Sequence, residues 1–207
     1  MSTKLKAKDI ANMVMPALTP RLESEGFQSY KEKQFIKISE GIVFYISFQL
    51  NKNNMYIWSA AYPLCQHRLW FGSGFLVKKF PENEGGLKVD TEEDIKFVLG
   101  KLANGLDNIF EFFKERQSVD AVEEKISKDG KLGHLLIKGI CLAAMNKPDD
   151  AKIFLEKFIL SGVGLIDDKD GVENLLAAIS DGSHLELLEA NKAANIKKLR
   201  LKKFLPK

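Results

Sequence analysis

Residues 63–74 of this 207-residue chain read PLCQHRLWFGSG and bring a thiol, an imidazole, a guanidinium, two large aromatics and two glycines together. Several chemistries are open to such a set. Cys65 and His67 would share one face of an extended segment and could touch one metal ion. A closed zinc site needs four ligands, and Cys141, His134 and His184 supply no second close pair. Recognised zinc patterns rely on paired short spacings, so no metal and no other cofactor is expected. A thiol nucleophile needs a base and a group that orients that base. Cys65 and His67 supply two of the three, without a glycine-framed nucleophile. Gly72 and Gly74 beside Arg68 resemble a fragment of a phosphate loop, but the Lys-Ser/Thr step is missing and the dinucleotide fingerprint is incomplete. Two further readings need no chemistry at all. The segment is a sheet-edge turn whose Trp70, Phe71 and Phe75 pack inward, or a partner-facing loop anchored by Arg68, Trp70 and Phe71, residue types suited to interfaces.

The second concentration of chemistry is charge. The last eleven residues, KKLRLKKFLPK, hold six basic and no acidic residues, while 119–196 carry 9 basic against 14 acidic. Lys197, Lys198, Arg200, Lys202 and Lys203 are therefore candidate partner contacts. The alternative is a solvated basic helix end that complements its own dipole and the acidic stretch before it. Ile196, Leu199 and Lys203 share a helical face whereas Leu201 and Leu205 do not, which is poor amphipathicity for a membrane surface. Six cations could meet phosphates, yet the whole chain is nearly neutral at +3, which argues against a general nucleic-acid binder. Asp167, Asp168 and Asp170 lack the alternation of a calcium loop and read as a helix start.

The elements that must position these residues follow from periodicity. Ile10, Val14, Leu18 and Leu22 recur four apart, so 6–25 is predicted helical, with a kink or two abutting helices at Pro16 and Pro20. Gly26 suits the left-handed position that ends it. Phe35, Ile36 and Ile38 lead into IVFYISFQL at 42–50 and MYIWSAAY at 55–62, short-linked strands of an antiparallel meander. Residues 78–90 read as a loop. Thr91 with the acidic run 92–94 then caps a long helix whose apolar stripe runs from Ile95 to Phe113.

From Val119 on, the pattern is helical: 121–127, 132–145, 149–160, 171–179 and 183–203, separated by Gly, Pro and Asp breakers. The segment LGHLLIKGICLAAMNKPDDAKIFLEKF resembles a single tetratricopeptide-type hairpin, with Gly139, Asn146 and Ala151 at its small and turn positions and Leu135, Leu142, Leu155 and Phe158 near its packing positions. Shifted by one repeat the pattern fails, so no solenoid is expected. The predicted class is α+β: an antiparallel meander sheet covered by two long helices over 1–117, followed by a helical subdomain over 118–207 packed on it.

A helix, Gly26-Phe27, a strand carrying FIKI, a strand ending FQL, an aromatic strand and an acidic-capped long helix together resemble a bacterial family of uncharacterised domains. The resemblance covers the first half of the chain and implies no catalytic residues. Some such domains are immunity proteins, so the resemblance permits a cognate protein toxin as partner.

No apolar run spans a bilayer, the first residues lack a cleavage pattern, and two distant cysteines give no disulfide framework. These point to a cytoplasmic, membrane-independent protein. The leading expectation is a binding protein, not an enzyme: an immunity-type protein that occludes a toxin. A small enzyme or nucleotide-binding protein using Cys65, His67 and Arg68, or a nucleic-acid-associated protein using the basic segment, are the alternatives.

Overall fold

The computed structural model describes residues 5–69, 71, 76–82, 85–129, 134–163 and 166–206. These fall into two compact units. One is drawn from Met1–Lys37, Phe44–Ala60 and Val77–Lys114, the other from Ile38–Val43, Ala61–Leu76 and Glu115–Lys207.

The first unit begins with α1 (Ala7–Ser24), which buries Ile10, Val14, Leu18 and Leu22. The alternative of two abutting helices is corrected: one helix runs through both prolines. Pro16 and Pro20 are four apart on its exposed side, beside exposed Asn12. The carbonyls that lose an amide partner there can turn to water instead. Thr19 Oγ1 adds a hydrogen bond to the Met15 carbonyl at 2.8 Å. The helix ends where Gly26 adopts φ +82. Its amide donates to the Glu23 carbonyl at 2.9 Å and the Phe27 amide to the Leu22 carbonyl at 3.0 Å. This is a Schellman closure, which a residue with a Cβ would strain. It turns the chain so that Phe27 is buried, its ring 6.0 Å from Phe110 and 5.7 Å from Phe113.

The sheet is antiparallel in the order β1 (Gln28–Lys31), β2 (Gln34–Ser39), β3 (Ile42–Asn51), β4 (Asn54–Pro63), β5 (Val77–Phe80), with β6 (Leu87–Lys88) also paired to β4. Two-residue links join the first four strands, as a meander requires. β3 is buried on both faces from Ile42 through Phe48, so its alternation of residue types does not mark a solvent face. The loop expected over 78–90 is corrected in part. Lys78 and Lys79 lie opposite Ser59 and Trp58, and Leu87 opposite Met55. An edge strand tolerates lysines and needs no apolar alternation, so VKKF carried no strand signal.

The long helix α2 (Glu92–Lys114) starts at a capping box. Thr91 Oγ1 accepts the Asp94 amide at 3.3 Å, and Asp94 Oδ2 accepts the amides of Thr91 and Asp90 at 2.8 and 2.9 Å. Its stripe of Ile95, Val98, Leu102, Leu106, Ile109, Phe110 and Phe113 is buried. Phe113 meets Phe44 of β3 at 4.9 Å, and Arg21 of α1 pairs with Asp107. The class is thus α+β, an antiparallel sheet with two long helices against it.

In the second unit, α3 (Val119–Asp129), α4 (His134–Ala144), α5 (Pro148–Ser161), α6 (Ile166–Asp181) and α7 (His184–Lys198) are followed by a 3-10 turn, Leu201–Phe204. The α4–α5 hairpin turns at Asn146, φ +57. There the Lys147 amide donates to Leu142 and the Asn146 amide to Ala143, at 2.9 and 3.1 Å. Pro148 then opens α5, where a missing amide costs nothing. The helix bounds differ most from expectation at two ends. α6 starts before Gly171, and the predicted helix to Lys203 ends at Lys198, because Arg200 takes a left-handed conformation. No helix among the described residues is long and apolar enough to cross a membrane.

Candidate functional site

The segment after β4 is a turn, not the extended stretch on which Cys65 and His67 would share a face. The turn agrees with the sheet-edge reading of this segment, and the two side chains go to different surroundings. Cys65 is 8% exposed and belongs to the apolar cluster of Leu136, Ile140, Leu155, Phe158, Val172 and Leu188. Burial pushes its thiol up to about 11, so at neutral pH it is protonated and a poor nucleophile. Cys141 is fully buried, and burial raises it well above its ordinary value too.

His67 lies against α6. A Cβ at Gly171 would stand 2.6 Å from His67 Cβ and 2.8 Å from its Cγ, so only glycine leaves room for the imidazole stem. This is why Gly171 stands inside a helix, where its entropy penalty is otherwise about 1 kcal/mol. Among the described residues no group of three His, Cys, Asp or Glu converges as a metal site would need.

The loop is held from the other side by Asn195 of α7, which is 2% exposed. Its Nδ2 donates to the carbonyls of Leu64 at 3.0 Å and Gln66 at 2.8 Å, and its Oδ1 accepts the Leu69 amide at 3.1 Å. One amide thereby satisfies three backbone groups of an irregular segment, which otherwise would be costly to bury. Gln66 Nε2 donates to the Arg68 carbonyl at 2.9 Å, and the Leu64 amide to the Gly41 carbonyl at 2.7 Å. Leu64 and Leu69 are buried, whereas Arg68 is exposed.

Of the aromatic anchors, Phe71 is half-buried with its ring 5.9 Å from Tyr62. Trp70, Gly72, Gly74 and Phe75 lie outside the described residues. Lys197, Lys198, Arg200, Lys202 and Lys203 are all exposed. Because Asn195 stands on the turn of α7 just before Lys197 and Lys198, the structure ties the backbone of the 63–69 loop to the start of the basic segment. The two features singled out separately in the sequence thus belong to one neighbourhood.

No family model, curated protein or solved structure matches the chain.

Asn195 itself was not among the sequence candidates. A signal existed: His184, Leu188 and Asn195 are spaced four and seven apart, one stripe of a helix, and all three are buried. A polar amide on an apolar stripe is a residue with internal partners.

Proposed function

We propose that this is a bacterial cytoplasmic binding protein of the immunity type, which neutralises a cognate protein toxin by occlusion. What supports the reading is the use the loop makes of its reactive groups. Cys65 is spent in packing, His67 is wedged on Gly171, and the loop backbone is fixed by Asn195, while Arg68 stays exposed. A surface held rigid before encounter loses little entropy on binding, which suits an inhibitor better than a reactive centre. Arg68, Trp70 and Phe71 serve as anchors, and Lys197, Lys198, Arg200, Lys202 and Lys203 steer association. Two cysteines without a disulfide fit a reducing compartment.

The test is co-expression with each toxic product encoded beside it. The expected result is restored growth and a complex that co-elutes in gel filtration. Arg68→Ala and Trp70→Ala should weaken that complex by ~2 kcal/mol or more each, with melting temperature measured on the same proteins. Absence of protection and of any complex overturns the reading, and loss of stability with unchanged affinity removes these residues from the interface.

A further inference from the structure

Some lysines of this protein are tied to carboxylates. Lys78, Lys88, Lys125, Lys128, Lys138 and Lys192 pair with Glu82, Asp90, Glu115, Glu124, Glu123 and Glu189. The basic segment gathers five cations that are not so tied. Lys197, Lys198, Arg200, Lys202 and Lys203 are exposed, and none pairs with a carboxylate among the described residues. The α7 dipole accounts for Lys197 and Lys198 in its last turn, but Arg200, Lys202 and Lys203 follow the helix.

These cations are held on folded backbone. The Leu199 amide donates to Asn195 at 2.9 Å and the Arg200 amide to Lys197 at 3.2 Å. Arg200 then takes φ 55 and ψ 41, and the 3-10 turn Leu201–Phe204 follows. With three residues per turn, residues three apart fall on one side. Leu201 and Phe204 are 0% and 4% exposed, so Lys202 and Lys203 are left on the outer side. The result is a ledge of like charges that follows Asn195, the partner of the loop carrying exposed Arg68, and within it Lys203 Nζ stands 4.6 Å from the centroid of the Phe204 ring.

We propose that this ledge docks a compact acidic patch on a protein partner. The proposal rests on the occlusion reading and names the chemistry of the face that reading requires. Compactness decides between anions. Exposed Glu186 lies on the same α7, and residues 119–196 carry 9 basic against 14 acidic residues. A long phosphate chain leaving the ledge along α7 would meet these carboxylates, whereas a small acidic patch ends before them. A membrane surface would need apolar side chains to insert, and Leu201 and Phe204 are already buried in the fold.

The test uses the full chain and three probes: a short peptide alternating Glu and Tyr, a DNA duplex of equal formal charge, and vesicles of anionic phospholipid. Affinity is measured across a salt series for the wild type, a ledge triple variant (Lys198→Glu, Lys202→Glu, Lys203→Glu) and a control triple variant (Lys8→Glu, Lys96→Glu, Lys101→Glu). The control makes the same change in net charge elsewhere. The expected result is peptide binding that weakens with salt, falls about tenfold or more in the ledge variant, and changes less in the control. Circular dichroism on all three proteins checks that the fold is kept, and the single variant Lys202→Glu replaces the triple if it is not. Equal losses in both variants, no peptide binding, or tighter binding of duplex or vesicles overturns the proposal. Failed toxin protection with intact peptide docking overturns the occlusion reading alone.

Discussion

Asn195 Oδ1 accepts the Leu69 amide at 3.1 Å across 126 positions of sequence, so α7 and the loop after β4 share one buried hydrogen-bonding group. Removing it orphans the Leu69 amide and the Leu64 carbonyl together. Asn195→Leu should lower stability by about 2–4 kcal/mol, since each buried unsatisfied group costs roughly 1–3 kcal/mol. Asn195→Asp should be worse at pH 8 than at pH 4, because an ionised carboxylate would face the Leu64 and Gln66 carbonyls. Urea unfolding at the two pH values measures this, and equal stability of Asn195→Leu and wild type would contradict it.

Gly171 is the matching constraint on α6. In an unobstructed helix Gly→Ala is stabilising by roughly 1 kcal/mol, but here the new Cβ would collide with the His67 stem. Gly171→Ala should therefore destabilise. The double variant Gly171→Ala with His67→Gly, which removes the colliding Cβ, should recover part of the loss, read as a positive coupling in a thermal-melt double-mutant cycle.

The thiols should be silent in the folded protein. Cys65 is held at about 11 by burial, and Cys141 is fully buried. Iodoacetamide at pH 8 should label neither until denaturant is added, after which both react. Rapid labelling of Cys65 under native conditions would show that the loop opens and would revive the thiol chemistry its sequence suggested.

The capping box at the start of α2 gives a pH-dependent contribution. The amides of Asp90 and Thr91, and then the Thr91 hydroxyl, hold the Asp94 carboxyl below its ordinary range. A carboxylate depressed in the folded state stabilises fully above the unfolded value of about 4 and is lost as pH falls through the folded value. Asp94→Asn should lower the melting temperature at pH 7. Its deficit should shrink as pH falls through that lowered folded value, below which the wild-type carboxyl is protonated too.

What was legible in the sequence was what is encoded locally. Gly26-Phe27 announced a helix end because only one conformation closes a helix in that way, and Thr91 with Asp94 announced a helix start. The β-branched run 42–50 and the apolar stripe 95–113 needed only periodicity. The hairpin at Asn146 was visible in its turn residues. The edge strand at Val77–Phe80 was not, since pairing with β4 is made by backbone groups that every residue carries and its lysines are tolerated at an edge.

The candidate site divides in the same manner. Sequence alone determined which residues could bear chemistry, and it offered Arg68 and the basic segment as candidate contacts because charge and residue type are local properties. Tertiary structure alone decided that Cys65 joins the core, that His67 rests on Gly171, and that Asn195 is bound to the loop. Burial and hydrogen-bond satisfaction depend on which distant segments meet, and a single helix stripe cannot state what covers it. The 3-10 turn after Arg200 shows the boundary between the two. Its lysines were read correctly as exposed, while its helical continuation was not, because the burial of Leu201 and Phe204 is a property of the packed chain.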